Sequence, residues 1–260
     1  ILMVGVLGVS ASAILVRFSQ APSGVTAAYR LGWTVLLLLP VVLLRCRAEL
    51  RRVTARDLVL CGASGVLLAL HFLTWFESLK RTSVASSTVL VSTEVIFTAL
   101  GFALFLHGKI PRLGVWAILL AFGGSALLAL SGGGGAGELS GNLLALAAAS
   151  AAAVYTLIGR IQRGHLSTTV YTFLTYLACF LTLLLGTAAA GTPLTGYGGR
   201  EWLIGLALAV LCTLLGHSLF SWCLKYLSPS YVSAAKLCEP VFSSLAAITH
   251  DIACPLCRKK

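Results

Sequence analysis

The sequence predicts an all-α membrane protein, and two observations support this prediction. First, 58% of the 260 residues are hydrophobic and only 10% are charged, whereas a soluble domain carries about 25% charged residues. Second, the apolar residues form long runs, and a helix needs about 20 such residues to cross a bilayer. We predict helices rather than barrel strands, because the runs are continuously apolar and do not alternate with polar positions.

Nine apolar runs predict nine transmembrane helices in chain order. Their approximate bounds are 1–19, 25–44, 57–77, 84–106, 112–131, 141–159, 168–190, 202–222 and 229–249. Short polar loops separate the runs, and the most basic loop, 45–56, carries five arginines. A glycine-rich stretch divides the chain near its middle, as a linker between two halves would. We therefore predict a first half at 1–131, a linker at 132–140, a second half at 141–248 and an atypical tail at 249–260.

The distribution of basic residues predicts the orientation in the membrane. If the 45–56 loop is cytoplasmic, ten lysines and arginines lie in cytoplasmic loops and three in external loops. This positive-inside bias places the N-terminus in the cytoplasm of a multi-pass protein of the cell membrane. The basic residues behind the net charge of +11 gather between the apolar runs. Because no nucleic-acid-binding motif accompanies the charge, we expect no nucleic-acid partner.

An internal repeat relates the two halves of the chain. A shift of 145 residues superposes "LKRTSVASSTVLVSTEVIFTAL" (79–100) on "LKYLSPSYVSAAKLCEPVFSSL" (224–245), with six identities in 22 positions. The shared Leu-Lys pair, serine and central glutamate are unexpected by chance in apolar helices. If each repeat contains five spans, the second copy starts on the opposite side of the membrane, which is the inverted arrangement of many transporters. The repeat thus predicts ten spans, of which this chain shows nine.

At these residues the chain resembles the EamA-type transporters of the drug/metabolite transporter superfamily. The second copy contains the family's Glu-Pro-Val-Phe pattern at 239–242, whereas the first copy has Val95 where proline is common. "AAYRLGWTVLLLLP" (27–40) resembles the second span of the family. The resemblance implies ten helices in two inverted five-helix repeats around a central substrate cavity. The tail from Thr249 departs from the family pattern, where a tenth helix is expected.

Glu94 and Glu239 are the first candidate site residues. A carboxylate at the bilayer centre costs about 2.5–3.5 kcal/mol on insertion scales, so such a group is usually turned inward and is often functional. Two interpretations remain open. The glutamates line a cavity and bind substrate or protons, or they make structural hydrogen bonds between helices.

Two basic residues lie close to these glutamates in the predicted helices. Lys236 precedes Glu239 by three residues, so we expect the two to pair on one helix surface, with Lys236 neutralising the carboxylate. A switchable cation beside a bound substrate is the alternative for Lys236. Arg30 lies deep in the second span, where we expect it to pair with a glutamate or to contact an anionic group.

His71 and Trp75 lie four residues apart, late in the third span, and share a helix face. A tryptophan near a span end is usually an interfacial anchor, and an aromatic wall for substrate is the alternative. His217 is a weaker candidate of the same kind. We find no catalytic constellation and predict no cofactor and no metal site; the single cysteines are taken as small hydrophobes.

Together these observations favour a secondary transporter, not an enzyme, that moves a small organic metabolite or drug by alternating access. A non-transporting membrane protein, truncated or completed by a partner, is the alternative, and a membrane-embedded enzyme is a weaker third. The expected partners are a small-molecule substrate and the lipid bilayer, and a homodimer is the one protein partner that we consider. The sequence leaves the substrate, the direction of flux and the coupling ion open.

Overall fold

The computed structural model describes residues 1–108 and 136–239, together with positions 112, 115, 116, 119, 120, 123 and 242. All regular structure within these residues is helical. The predicted fifth span (112–131) lies almost wholly outside the described residues. The end of the predicted ninth span and the tail at 249–260 also lie outside them.

The described helices follow one another in the order that the apolar runs predict. They are α1 (Leu2–Ser10), α2 (Ser12–Phe18), α3 (Ser23–Arg45), α4 (Arg47–Leu50), α5 (Ala55–Arg81), α6 (Val84–Val91), α7 (Glu94–Phe105), α8 (Ala136–Gln162), α9 (Thr168–Ala189), α10 (Gly199–Ala207), a π-helix (Leu208–His217), α11 (Ser218–Cys223), α12 (Pro229–Ala235) and a 3-10 turn (Lys236–Cys238).

Six of the described helical segments are long and apolar enough to cross a membrane. They are Ser23–Arg45, Ala55–Arg81, Ser86–Phe105, Glu138–Gln162, Thr168–Ala189 and Gly199–Cys223, and the shorter apolar helix Leu2–Phe18 accompanies them. The prediction of an all-helical, multi-pass membrane protein is thereby confirmed. The count of nine spans and the two inverted repeats stay predictions.

Side-chain caps define several helix starts. Thr54 and Asp57 form a capping box at the start of α5, in which each side chain accepts from the other residue's backbone N–H. Such reciprocal bonds satisfy two of the donors that a helix start leaves open. Helix α8 begins at Ala136, inside the interval predicted as a linker, and Glu138 lies in its first turn. A carboxylate there favours an earlier start, because it faces the positive end of the helix dipole.

Helix packing relates the two predicted halves pair by pair. Helix α5 packs on α8, and α1 packs on the π-helix; helix α5 packs on α9, and α3 packs on α10. A shift of 145 residues relates these contacts in twos. It maps the α5–α8 contact onto the contact of the π-helix with α1, and the α5–α9 contact onto the contact of α10 with α3. The helices α3 and α9 also pack together, and the same shift maps this pair onto itself; helix α7 packs on α12. The largest core cluster lies among α3, α5, α8 and α9.

Gly65 sets the close approach of α5 to α9. A Cβ atom at this position would lie 2.6 Å from the carbonyl oxygen of Thr175 and 2.7 Å from the amide nitrogen of Cys179. Because both neighbours belong to the backbone, neither can rotate away. Small residues allow this kind of contact between membrane helices. Gly62, one turn earlier on the same helix, faces open space within 4 Å.

We predict that Gly65→Ala destabilises the protein by about 1–3 kcal/mol through overpacking. Gly62→Ala is the matched control, because both changes raise the helix propensity of α5 by about 1 kcal/mol. Thermal unfolding of the purified protein in detergent should show a lower midpoint for Gly65→Ala than for the wild type, and an unchanged or higher midpoint for Gly62→Ala. Equal midpoints for the two variants would contradict this packing.

Candidate functional site

Two helices break at corresponding positions near the centre of the bundle. Ser83 caps α6 by accepting from the amide of Ser86 at 3.0 Å, and Ser228, 145 residues later, caps α12 by accepting from the amide of Tyr231 at 3.3 Å. Helix α6 then ends at Val91, before α7 starts at Glu94. Helix α12 ends one residue before the 3-10 turn Lys236–Cys238. Glu94 and Lys236 lie at these breaks, and their side chains meet.

A buried ion pair joins the two breaks. The Lys236 Nζ atom lies 2.9 Å from Glu94 Oε1 and 3.0 Å from Glu94 Oε2, and both side chains are about nine-tenths buried. Thr156 Oγ1 donates to Glu94 Oε1 at 3.0 Å, and Ser233 Oγ donates to the same oxygen at 3.3 Å. The carboxylate thus accepts from three side chains, which offsets the desolvation that burial costs.

The partner of Lys236 differs from the expected one. We predicted that it pairs with Glu239 on its own helix, but its ammonium contacts Glu94, 142 residues away. The helical spacing rule considers one helix surface only, and here α7 packs against α12 closely enough to offer a better-placed carboxylate. Glu239 lines the same cavity, and among the described residues no cation lies within 4.0 Å of its carboxylate.

Arg30 is fully buried and lies across this cavity, on α3. Its Nε donates to Thr213 Oγ1 at 2.7 Å, and its Nη1 donates to Ser12 Oγ at 3.2 Å. The guanidinium also lies 4.2 Å from the ring centroid of Phe72. The Nη2 atom has no hydrogen-bond partner within the described part of the chain. The expected glutamate partner is not found there either, since no described carboxylate lies within 4.0 Å of Arg30.

The π-helix helps to position the Arg30 side chain. Thr213 lies within it and donates its hydroxyl to the carbonyl of Leu208, five residues earlier, at 3.3 Å. The wider turn leaves Thr213 Oγ1 directed at Arg30 Nε. Departures of this kind from the α-helix are frequent at functional sites. The sequence offered no signal for this segment, because its residues fit an ordinary apolar helix.

Aromatic rings form a third side of the cavity. His71 and Trp75 stack with their centroids 5.9 Å apart, and His217 lies 6.3 Å from His71. His71 Nδ1 donates to the carbonyl of Ala148 at 3.0 Å. Trp75 is 4% exposed, so it is a buried cavity residue and not the interfacial anchor that its place near a span end favoured. Trp75 Nε1 and His217 Nδ1 have no hydrogen-bond partner among the described residues.

All six predicted site residues line this one cavity. They are Glu94, Glu239, Lys236, Arg30, His71 and Trp75. Sequence reasoning missed the hydroxyl groups of Ser12, Ser92 and Ser233, which also line it, because hydroxyls are common in membrane helices and carry no pattern of their own. The free space in the cavity is about 30 Å³, room for one or two water molecules. Within the described residues no group of His, Cys, Asp and Glu has the arrangement of a metal site.

Two polar clusters close the bundle at its opposite ends. At one end, Asp57 accepts from Gln162 Nε2 at 3.2 Å and contacts His165 Nε2 at 2.7 Å, which ties the start of α5 to the end of α8. At the other end, Glu201 accepts from Ser19 Oγ at 2.6 Å and from the amide of Gln20 at 3.1 Å. This second contact ties the start of α10 to the end of α2. We call them the Asp57 latch and the Glu201 latch.

The latches lie at opposite ends because α5 runs between them. A helix of its length rises about 40 Å. Asp57 is at its start, and Lys80, near its end, donates to the carbonyl of Ala21 at 2.9 Å, next to the Glu201 latch. The 145-residue shift places His165 on Gln20 and nearly places Asp57 on Glu201. Each latch thus joins a first span to the third span of the other predicted half.

Comparisons with known proteins agree with this architecture. A family model described as the EamA-like transporter family matches residues 1–130 and 139–249, which covers most of both predicted halves. Among solved structures, one crystal structure of a protein superposes with a TM-score of 0.73 over 96% of this chain and 86% of that chain. The identity is 19%, so this likeness shows the fold alone. None of the curated proteins matches the chain.

We predict that Lys236→Gln destabilises the protein by about 3–5 kcal/mol, because it leaves Glu94 buried without its counter-charge. Arg81→Gln is the matched control: it breaks the pair of Arg81 with Glu77, whose side chains are 46% and 37% exposed. Such an exposed pair contributes about 0–1 kcal/mol. The measurement is thermal unfolding in detergent, and a similar loss in both variants would show that the buried pair has no special weight.

Proposed function

The chain belongs to the EamA-like transporter family, and from this premise we propose that it is a secondary transporter of a small organic solute that works by alternating access. The observation that carries the proposal is the meeting of two broken helices in a buried, charged cavity. Backbone groups without hydrogen bonds and charged side chains cost free energy inside the bilayer. In transporters they occur where a solute or ion binds. The solute would bind between the predicted halves, with Glu94 and Lys236 in the wall of its site.

The small volume of the cavity supports a mechanism in which the helices move to admit the solute. Its free space of about 30 Å³ is far below the roughly 300–1,000 Å³ that a small-molecule site encloses. A solute would therefore enter only when one end of the bundle opens. The Asp57 latch and the Glu201 latch are suited to this role, because each joins helices of different predicted halves by a few polar contacts. Breaking one latch while the other holds would expose the cavity to one side at a time.

The same reasoning supports the inverted topology as part of the proposal. Ten spans in two oppositely oriented halves would place the Asp57 latch on the cytoplasmic side and the Glu201 latch outside, with the N-terminus in the cytoplasm of the cell membrane. The paired helix contacts and the matching caps at Ser83 and Ser228 are the features that a two-fold relation between the halves would produce. Rocking of one half against the other around a fixed site then gives alternating access.

An efflux experiment tests transport without a known substrate. The purified full-length chain is reconstituted in liposomes loaded with a uniformly ¹³C-labelled bacterial metabolite extract, and released solutes are identified by mass spectrometry. We predict that a small set of organic solutes leaves the wild-type liposomes faster than protein-free liposomes. Release should fall by about tenfold or more in Lys236→Gln, provided that the variant reconstitutes. The variant loses the Lys236–Glu94 contact in the wall of the site, and a hydrogen bond to a charged group is worth about 1.5–3 kcal/mol. Identical release with and without protein would contradict transport.

We propose further that protons drive this transport through Glu94 or Glu239, because both carboxylates line the buried cavity. The efflux experiment is repeated with an imposed pH gradient for the wild type, Glu94→Gln and Glu239→Gln. If both variants keep the gradient-dependent part of the flux, proton coupling through these residues is wrong, although transport itself can stand.

We predict opposite effects for the two latches on access to the cavity. Ser92→Cys, in a background without the native cysteines, serves as the reporter, because Ser92 lines the cavity. Glu201→Gln should raise its labelling by a membrane-impermeant maleimide added outside cells, and Asp57→Asn should raise labelling in inside-out vesicles. The reason is that each change removes the acceptor charge of one latch only. Labelling from the same side in both variants would contradict the assignment of the latches.

A further inference from the structure

We propose that Arg30 anchors a carboxylate of the transported solute, so that the substrate is an organic acid or another carboxylate-bearing metabolite. This inference rests on the proposed function and names the chemistry of its site. It starts from a charge that the described residues leave without a counter-ion. Arg30 is fully buried, and no described carboxylate lies within 4.0 Å of it.

The hydrogen bonds of Arg30 leave N–H groups of the guanidinium without a partner among the described residues. Nε is occupied by Thr213 and one face by Phe72, and Nη1 donates once, to Ser12. Nη2 has no partner in the described part of the chain, and Nη1 keeps a second proton. The guanidinium therefore keeps unused N–H groups on both Nη atoms, and two N–H groups of a guanidinium can bind a carboxylate in bidentate fashion. The residues that hold Arg30 are neutral, so they orient its charge without cancelling it.

A second buried donor in the same cavity is also unused. Trp75 Nε1 has no partner among the described residues, although its ring is buried. A buried polar group without a partner costs about 1–3 kcal/mol, and an indole can only donate. Arg30 and Trp75 both line the cavity. Two unused donors therefore favour a ligand rich in acceptors, which a carboxylate is.

The other charges of the cavity do not compete for this role. Lys236 is engaged by both oxygens of Glu94, so it is neutralised before a ligand arrives. Glu239 lines the cavity without a described cation within 4.0 Å. If Arg30 serves only to balance Glu239 at a longer distance, removing either charge would have the same effect. A variant of each residue separates the two cases.

The binding test compares acids with their isosteric amides. The purified full-length chain in lipid nanodiscs is titrated with acetate and acetamide, butyrate and butyramide, and phenylacetate and phenylacetamide, with sodium chloride balancing ionic strength. We expect at least one acid to raise the unfolding temperature more than its amide. The preference should be lost in Arg30→Gln, reduced in Trp75→Phe, and kept in Glu239→Gln. Arg17→Gln is the control, since Arg17 is exposed and donates to the carbonyl of Thr82.

Four outcomes of this test would overturn the inference. They are amides that stabilise as well as the acids, an acid preference that survives in Arg30→Gln, the absence of stabilisation by every acid, and a loss of the preference in Glu239→Gln as well. Trp75→Phe keeps an aromatic ring and removes one donor, so it gives an answer even if Arg30→Gln fails to fold. A loss of the preference in Glu239→Gln equal to that in Arg30→Gln would assign Arg30 to a structural pair instead.

The efflux experiment separates this inference from the proposed function. Solutes released by the wild type should carry carboxylates, and Arg30→Gln should reduce their release by about tenfold or more, which corresponds to the loss of one charged hydrogen bond. Release of uncharged solutes that Arg30→Gln leaves unchanged would reject the anion site and keep transport. No release by the wild type would reject transport, and the nanodisc titration would then decide on the anion site alone.

Discussion

The centre of this bundle depends on the contact between Glu94 and Lys236. Burying either ion without the other would be unfavourable, because desolvation costs several kcal/mol for each ion. A buried ion pair offsets its desolvation only with good geometry and further hydrogen bonds. Thr156 and Ser233 donate such hydrogen bonds to the Glu94 carboxylate. As a result the ion pair fixes how α7, α8 and α12 meet, and the cavity forms beside this junction. Any motion that separates the two predicted halves must first rearrange it.

The helix breaks that carry the pair arise in two different ways. In the first half no proline stands near Glu94, but Ser92 Oγ donates to the carbonyl of Thr88 at 2.7 Å and Thr93 Oγ1 to that of Leu90 at 2.6 Å. Hydroxyls that bond back to the preceding turn bend a helix. In the second half the sequence has Pro240, and proline has no N–H to donate to a preceding turn. Serine and threonine therefore replace the effect of the proline that the family pattern favours.

Composition and periodicity were sufficient for the helical membrane fold, because a bilayer admits few backbone structures. They also identified six residues that line one cavity, since a charge or an aromatic N–H inside an apolar helix rarely faces lipid. The partners of these residues could not be predicted in the same way. Lys236 contacts a carboxylate in another helix, and no rule of spacing within one helix reveals such a neighbour. The burial of Trp75 was missed for a related reason, because tilt and packing decide whether a ring near a span end meets lipid or protein.

The internal repeat explains the frame of the cavity and its two glutamates, but not its cations. The 145-residue shift places Trp75 on Phe220, and both line the cavity; it places Phe72 on His217, whose rings meet with centroids 5.5 Å apart. Arg30 and Lys236, by contrast, fall on Thr175 and Val91, which carry no charge. Each cation therefore breaks the symmetry of an otherwise repeated wall. Among the described residues Lys236 has a carboxylate partner and Arg30 has none, so the cations of this wall do not follow the pairing of the helices around it.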